Sequence, residues 1–203
     1  MEIITVLDQK VFEPRPDREE VFSWLRCGEG LPCREAYEAA WEEAAEMLRR
    51  EADPRAVILR ERPDRLTLLI TLGRGPEERV SALFREGRYV EGELLNVLCD
   101  EMLFQMDDRT ENVLRSLLAR EGMSMARRAE PGYGLDAAEQ EHFFERIGST
   151  IPEARLTEHG ALSPAKSMMY GVDLSREICH TALHDCSRCP KTNCLYRKVP
   201  KSS

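Results

Sequence analysis

The chain of 203 residues has the length of one α+β domain, with or without a small appendage, and its hydrophobic content of 42% can supply a core. A net charge of −8 excludes the basic footprint of a general nucleic-acid-binding protein, and no apolar run approaches the length that spans a membrane. The N-terminus has neither a basic region nor a signal-peptide core, so the expected compartment is the cytoplasm.

The first part of the chain predicts a strand, two helices and a hairpin. Residues 3–7 are rich in β-branched side chains and indicate a strand. A helix at 17–26 begins at a capping aspartate, and a second helix at about 34–50 carries an apolar face at three- and four-residue spacing. Two extended apolar runs, at 56–59 and 66–72, indicate paired strands joined by a turn.

The second part of the chain predicts further helices and two strands. In chain order it predicts helices at 77–85, 94–106 and 113–118, a strand at 123–126, a helix at 136–147 and a strand at 168–172. The two middle helices are separate in this interpretation, and the second of them ends at Gly122. The strand at 123–126 leads directly into the first motif.

The first motif, from Arg128 to Gly134, joins a cation to a stiff aromatic turn. Pro131 fixes φ, while Gly132 and Gly134 allow backbone angles and close approach that other residues resist. Tyr133, between the two glycines, is expected to be presented rather than packed. The arginine offers a planar fork of donors that suits a carboxylate. A surface turn with a chance arginine is the alternative.

Residues 128–172 resemble the activation domain of cobalamin-dependent methionine synthase. The shared order is Arg-x-x-Pro-Gly-Tyr, a short helix, Leu-Thr-Glu, and Pro-x-x-Ser before a strand. The residues that carry it are Arg128, Pro131, Gly132, Tyr133, Leu156, Thr157, Glu158, Pro164 and Ser167. Stand-alone relatives of that domain look closer still, since they share Pro-Gly-Tyr-Gly and Pro-x-Lys-Ser and some end in a cysteine-rich tail. One departure is that Leu135 precedes Asp136 where relatives often continue directly with aspartate.

The resemblance implies an α+β fold with a twisted antiparallel sheet and several packed helices, here over residues 1–174. It implies binding of S-adenosylmethionine, which such a domain holds over the cobalamin of a partner while inactive cob(II)alamin is reduced and remethylated. The implied partners are a corrinoid protein, first of all a methionine synthase without its own activation domain, and a low-potential electron donor. Nucleic acid and membrane are not expected partners. Whether the chain itself performs methyl transfer stays open.

The resemblance also assigns roles to single residues. It makes Arg128 the clamp for the ligand carboxylate, with backbone groups of Ala129 and Glu130 beside it and Tyr133 as a wall or hydrogen-bond donor. The rest of the turn, Pro131, Gly132 and Gly134, completes the ligand-binding stretch. Lys166 and the adjoining Ser167 are further candidates, the lysine for the ligand carboxylate or a corrin propionate, or simply as a solvent-exposed side chain. The family's acidic partner for the ligand amine lies far upstream and aligns with no residue here.

The tail at 175–203 is a second candidate site. Four of the seven cysteines crowd into sixteen positions there: Cys179, Cys186, Cys189 and Cys194. Such spacing predicts a metal site, with an iron–sulfur cluster as first choice and zinc as second, while His180 and His184 are possible substitutes. Free thiols are the alternative. In a reducing cytoplasm the seven cysteines are expected as thiols or metal ligands rather than disulfides.

The tail also differs in charge from the rest of the chain. It holds six Lys or Arg and two Asp or Glu, a net of +4, which leaves −12 for the remainder. A basic metal-binding segment could dock an acidic redox partner or the corrinoid protein, although a solvated tail is the plainer interpretation. Two other functions therefore stand beside the main one: an iron–sulfur electron-transfer protein, and a non-catalytic interaction module with an emptied ligand site.

Overall fold

The computed structural model describes residues 2–7 and 15–177, together with Cys194 and Tyr196. In chain order the elements are β1 (Glu2–Leu7), α1 (Arg18–Trp24), α2 (Pro32–Glu51), β2 (Arg55–Arg62), β3 (Arg65–Thr71), α3 (Gly75–Arg85), α4 (Tyr89–Arg120), β4 (Ser124–Pro131), β5 (Gly134–Leu135), α5 (Ala137–Ile147), β6 (Arg155–Leu156), β7 (Leu162–Ser163) and β8 (Ser167–Ser175). The predicted strands and helices are therefore present, with different bounds in several cases.

Six strands form one sheet in the order β1-β2-β3-β8-β4-β5. Every neighbouring pair is antiparallel except β4 and β5, which run parallel. The last strand, β8, inserts between β3 and β4, and it places Val172 opposite Arg128. This insertion brings Ser167, the last residue of the Pro-x-Lys-Ser sequence, onto the strand adjacent to the one that carries Arg128.

The sheet separates two hydrophobic cores because successive side chains of a strand point to opposite faces. The larger core lies on the side of α1 to α4, and its sheet residues include Ile58, Leu68, Ile70, Tyr170 and Val172. The smaller core lies on the side of α5, and its sheet residues include Val57, Leu59, Leu69, Ala129 and Met169. Strand β3 is buried along its whole length, as expected for a central strand covered on both faces.

Helix α4 corrects the sequence prediction of two separate helices. It runs without a break for 32 residues, through the polar stretch 107–112 between the two predicted helices. That stretch contains neither glycine nor proline, so polarity alone does not interrupt the helical hydrogen bonds. Among the described residues, no helix combines the length and hydropathy needed to cross a bilayer.

The end of α1 brings two cysteines together. Arg26 takes a left-handed φ of 54°, and the amide of Cys27 donates to the carbonyl of Phe22 at 2.9 Å, the pattern of a Schellman cap. The buried Cys27 forms a disulfide with the exposed Cys33 at the start of α2. The expectation of thiols or metal ligands is thus wrong for these two cysteines, whereas Cys99 is a buried free thiol.

Candidate ligand-binding site

The turn after β4 is held by its own backbone. Glu130 and Tyr133 exchange hydrogen bonds of 3.0 and 2.8 Å, so both backbone groups of Glu130 are engaged. Pro131 and Gly132 occupy the central positions, and the φ of 74° at Gly132 is the value that a type II turn demands there. The Tyr133 side chain is 65% exposed, and Gly134 pairs with Glu130 as the start of β5.

A buried arginine on β3 fixes the turn from behind. Arg65 donates to the carbonyl oxygen of Gly134 at 2.9 Å, to Glu139 on α5 at 2.8 Å and to Asp173 on β8 at 2.5 Å. The guanidinium fits because Gly171 has no side chain, since an added Cβ would lie 2.5 Å from Nη2 of Arg65. One side chain thus ties the turn to α5 and to β8.

Neighbouring residues of β4 face opposite sides of the sheet. Ala129 is fully buried in the core on the α5 side and pairs with Gly171 in the ladder. Arg128 projects to the other side, between the sheet and α4, where its side chain is only 6% exposed. The predicted carboxylate clamp is therefore a buried cation and not a surface arginine.

Every nitrogen of the Arg128 guanidinium has a contact. Nη1 donates to Oδ2 of Asp107 on α4 at 2.5 Å, Nε donates to Oε1 of Glu130 at 2.6 Å, and Nη2 lies 3.2 Å from the sulfur of Met168. The centre of the guanidinium lies 3.5 Å from the ring centroid of Tyr170, a cation–π contact. Asp107 is as deeply buried as Arg128, whereas the Glu130 side chain is 45% exposed.

The charges of this cluster depend on one another. Burial by itself would lower the pKa of the Arg128 guanidinium, but the Asp107 and Glu130 carboxylates outweigh burial and raise that pKa. Burial and the nearby Asp107 carboxylate raise the pKa of the Tyr170 phenol well above its usual value. The cluster therefore holds a charged arginine, paired with two carboxylates, beside a neutral phenol.

Lys166, immediately before β8, contacts α4 at a point nearer the N-terminus of that helix. Its Nζ donates to Oδ1 of Asp100 at 2.6 Å and to the carbonyl of Asn96 at 3.0 Å, and its side chain is 12% exposed. The hydroxyl of Ser167 donates to Oγ1 of Thr71 at 2.7 Å. Lys166 is thus an ion-paired, largely buried lysine in this state.

Tyr196, in the tail, contacts α4 close to Lys166. Tyr196 packs against Trp24 and Phe104, with ring centroids at 4.7 and 5.2 Å, and its hydroxyl donates to Oδ2 of Asp100 at 2.5 Å. Cys194, two residues earlier, is half-buried. Asp100 therefore connects the tail to Lys166.

The remaining predicted metal ligands, Cys179, Cys186 and Cys189, lie outside the described residues. Within the described ranges, no group of three or more His, Cys, Asp or Glu side chains could hold a metal ion. The metal site consequently stays a prediction from cysteine spacing.

Sequence reasoning missed the acidic partners on α4. Asp100 and Asp107 are seven residues apart, so they lie on one helix face about 10 Å apart. They pair with Lys166 and Arg128, the two cations that the motifs had indicated. A signal was present for Asp100, which lies within the predicted helix with an apolar core face, where carboxylates are rarely placed without a partner, whereas Asp107 lies one residue beyond that predicted helix.

The fold and this cluster together define an α+β domain with a buried ion pair between a long helix and the sheet. The fold is similar to the crystal structure of the MetH reactivation domain bound to AdoHcy, with a TM-score of 0.57 over 90% of this chain and 81% of that chain, at 12% identity. This similarity confirms the predicted fold class. No family model and no curated protein matches the chain by sequence.

The ion pair of Arg128 and Asp107 predicts strong coupling in unfolding experiments. Replacing Arg128 with Met leaves the Asp107 carboxylate buried without its cation, which we expect to destabilise the fold by about 3–5 kcal/mol. The double replacement Arg128→Met with Asp107→Leu should recover most of this loss, because neither charge is then buried. Urea unfolding followed by circular dichroism measures all variants.

Arg127→Met is the matched control, because the Arg127 side chain is 63% exposed and its pair with Asp173 should contribute below about 1 kcal/mol. Additive losses for the Arg128 and Asp107 variants would contradict the proposed coupling.

Proposed function

We propose that this chain binds S-adenosylmethionine at the Arg128 site and supports reductive remethylation of inactive cob(II)alamin in a partner corrinoid methyltransferase. The observation that carries the proposal is the buried Arg128 beside a preformed turn, in a fold similar to a reactivation domain bound to AdoHcy. An arginine fork in a water-poor site favours the carboxylate of such a ligand. The first candidate partner is a cytoplasmic methionine synthase without its own reactivation domain.

A ligand carboxylate can bind Arg128 only if a carboxylate already paired with the guanidinium gives up its hydrogen bond. Glu130 is the residue that can do so. Its carboxylate binds Nε of Arg128 but is 45% exposed, so it can move into water at little desolvation cost. Asp107, 6% exposed, stays in place and keeps the arginine paired. The incoming carboxylate then replaces the carboxylate of Glu130, and the net charge around Arg128 is unchanged. In this proposal the exposed Tyr133 side chain covers the bound ligand.

The tail supplies a further part of the proposal. A metal centre on Cys179, Cys186, Cys189 and Cys194 would suit one-electron delivery if it is an iron–sulfur cluster, and zinc is the second choice. Tyr196 anchors the tail beside Asp100 and Lys166, so Cys194 lies near the helix that carries the site. Anaerobic purification with metal analysis and absorption spectroscopy separates a cluster, zinc and free thiols. A protein with a cluster and no nucleoside ligand would be an electron-transfer protein instead.

A non-catalytic interaction module is the second candidate function. It is favoured by one observation, that Asp107, Glu130 and Met168 already engage the guanidinium of Arg128. In that case Glu130 is a permanent partner, and the site supports the fold without binding a ligand. Such a protein would bind a corrinoid partner equally well with and without S-adenosylmethionine.

Calorimetry with S-adenosylmethionine and AdoHcy gives the direct measurement. The native chain should bind both, and Arg128→Lys should weaken binding by about 10–100-fold, because lysine keeps the charge but loses the bidentate fork. Arg127→Lys, on the adjoining exposed arginine, is the control and should bind as the native protein does. Absence of binding by the native chain would exclude the proposed function.

Replacement of Glu130 tests the exchange of carboxylates. Glu130→Gln keeps the size of the side chain but removes the competing charge, so AdoHcy affinity should rise by about 3–10-fold, given that a charge-assisted hydrogen bond is roughly twice as strong as a neutral one. Glu145→Gln, an exposed replacement on α5, controls for net charge. An unchanged affinity in Glu130→Gln would show that Glu130 does not leave, and no binding by either protein would favour the interaction module.

A further inference from the structure

The disulfide between Cys27 and Cys33 has one buried end and one exposed end. Cys27 is 0% exposed within the larger core, whereas Cys33, the second residue of α2, is exposed. The two cysteines are six positions apart in sequence. Disulfides that thiols in solution can reach exchange more readily than enclosed ones, and a short loop gains least from its cross-link. Both properties are typical of a disulfide that is exchanged rather than permanent.

The surroundings of Cys33 favour attack on its sulfur. The start of a 20-residue helix is the positive end of the helix dipole, which favours a thiolate there. An open groove of about 530 Å³ is lined by residues on either side of Cys33 in sequence, among them Leu31 and Glu35. Leu31 is 46% exposed and offers an apolar contact to an incoming molecule. A reductant therefore reaches the sulfur of Cys33 and not that of Cys27.

The buried end of the disulfide connects to the residues that hold the tail. Trp24, the last residue of α1, lies three positions before Cys27. Its ring packs edge to face against Phe104 of α4 and Tyr196 of the tail, with centroids 5.6 and 4.7 Å away. Since α1 has only seven residues, its stability depends on tertiary contacts rather than on its own hydrogen bonds. The disulfide thus fastens the end of a short helix that contacts Tyr196.

We infer that Cys27 and Cys33 form a disulfide that exchanges with dithiols, and that its redox state sets how firmly α1 holds Tyr196. The inference is independent of the proposed ligand. A thiolate of the external dithiol attacks Sγ of Cys33 and forms a mixed disulfide, while the bond to Cys27 breaks and its Sγ takes a proton. The second thiol of the reductant then closes its own disulfide and releases Cys33. Two electrons and two protons pass from the dithiol to the two cysteines.

The geometry favours a dithiol over a monothiol as the reductant. After the first step, Cys27 stays beside the mixed disulfide on Cys33 and can displace a bound monothiol again. A dithiol escapes this reversal because its second thiol is also held at the site. In the direction of oxidation, Cys33 is the sulfur that attacks an external disulfide, and Cys27 is the resolving sulfur.

Thiol trapping on the full chain tests the exchange. The folded chain is treated with reduced or oxidised dithiothreitol, quenched with acid, denatured and alkylated, and the labelled cysteines are identified by peptide mass spectrometry. Cys27 and Cys33 should be labelled together after reduction and protected together after oxidation. Cys99, a buried free thiol, should be labelled in both samples and is the internal control. A pair that stays linked until urea unfolds the chain, or never links, would exclude the exchange.

Single variants separate the roles of the two sulfur atoms. With oxidised glutathione, Cys27→Ala should retain glutathione on Cys33, whereas Cys33→Ser should form at least about tenfold less adduct on the buried Cys27. Equal amounts of adduct on the two sulfurs would overturn this assignment. If circular dichroism shows that Cys27→Ala is unfolded, a brief pulse of oxidised glutathione on the reduced native chain identifies the sulfur that reacts first.

Fluorine NMR of the chain labelled with fluorotyrosine measures the effect on Tyr196. The chain has five tyrosines, and Tyr196→Phe assigns the signal of Tyr196. Reduction of the native chain should move this signal toward the position of an unfolded tyrosine, because the contact with the Trp24 ring weakens. Cys33→Ser is the matched control, since it should show the reduced-state signal before and after dithiothreitol.

The same control accounts for the tail cysteines, because any change that dithiothreitol causes in Cys33→Ser arises from other cysteines. If the native signal of Tyr196 does not move on reduction, or if Cys33→Ser keeps the signal of the oxidised native chain, the link between the disulfide and the tail is excluded. None of these measurements uses S-adenosylmethionine, so failure of this inference leaves the proposed function in place.

Discussion

The buried ion pair of Arg128 and Asp107 is the interaction on which the rest of the site depends. An arginine enclosed between a sheet and a helix is unfavourable unless a carboxylate accompanies it. Asp107 meets this requirement from the middle of α4, and the face of Tyr170 completes the enclosure of the charge. The pair thereby fixes the position of α4 relative to β4. It also fixes the end of β4 from which the turn after Arg128 starts.

The pair also determines what kind of binding the site can perform. Asp107 cannot leave, because it would then be buried alone, but the half-exposed Glu130 can. In the proposed function, binding of an amino-acid carboxylate exchanges one anion for another and gains little from charge alone. Discrimination between ligands would then come from the geometry of the site. A site of this kind favours selectivity over raw affinity.

Much of the fold follows from the sequence, whereas the pairing of the site does not. Local patterns indicate the α+β class, most strands and helices, and the turn at 130–133. Hydrophobic periodicity, helix capping and glycine position are signals that depend only on residues close together in sequence. The continuity of α4 was missed because residues 107–112 carry no apolar side chain, so the apolar face is interrupted between the two predicted helices. Asp107 and Asp100 could not be assigned because their partners lie 21 and 66 residues away, Arg128 on β4 and Lys166 immediately before β8.

The disulfide was missed for a different reason. The expectation used the redox state of the compartment, which says nothing about where two sulfur atoms meet. The left-handed Arg26 reverses the chain after α1 and directs Cys27 toward the start of α2, where Cys33 lies. A non-glycine residue in that conformation is not visible in a sequence pattern.

Arg65 gives the site a connection through the sheet. Its guanidinium donates to the carbonyl of Gly134 and to the carboxylate of Glu139, so one side chain links the turn after β4 to α5. Any event that shifts α5 changes the free energy of the turn, and by reciprocity any event that stiffens the turn stabilises α5 against opening. If the proposed function holds, the α5 face of the domain is where a bound partner would sense ligand occupancy without touching the ligand itself.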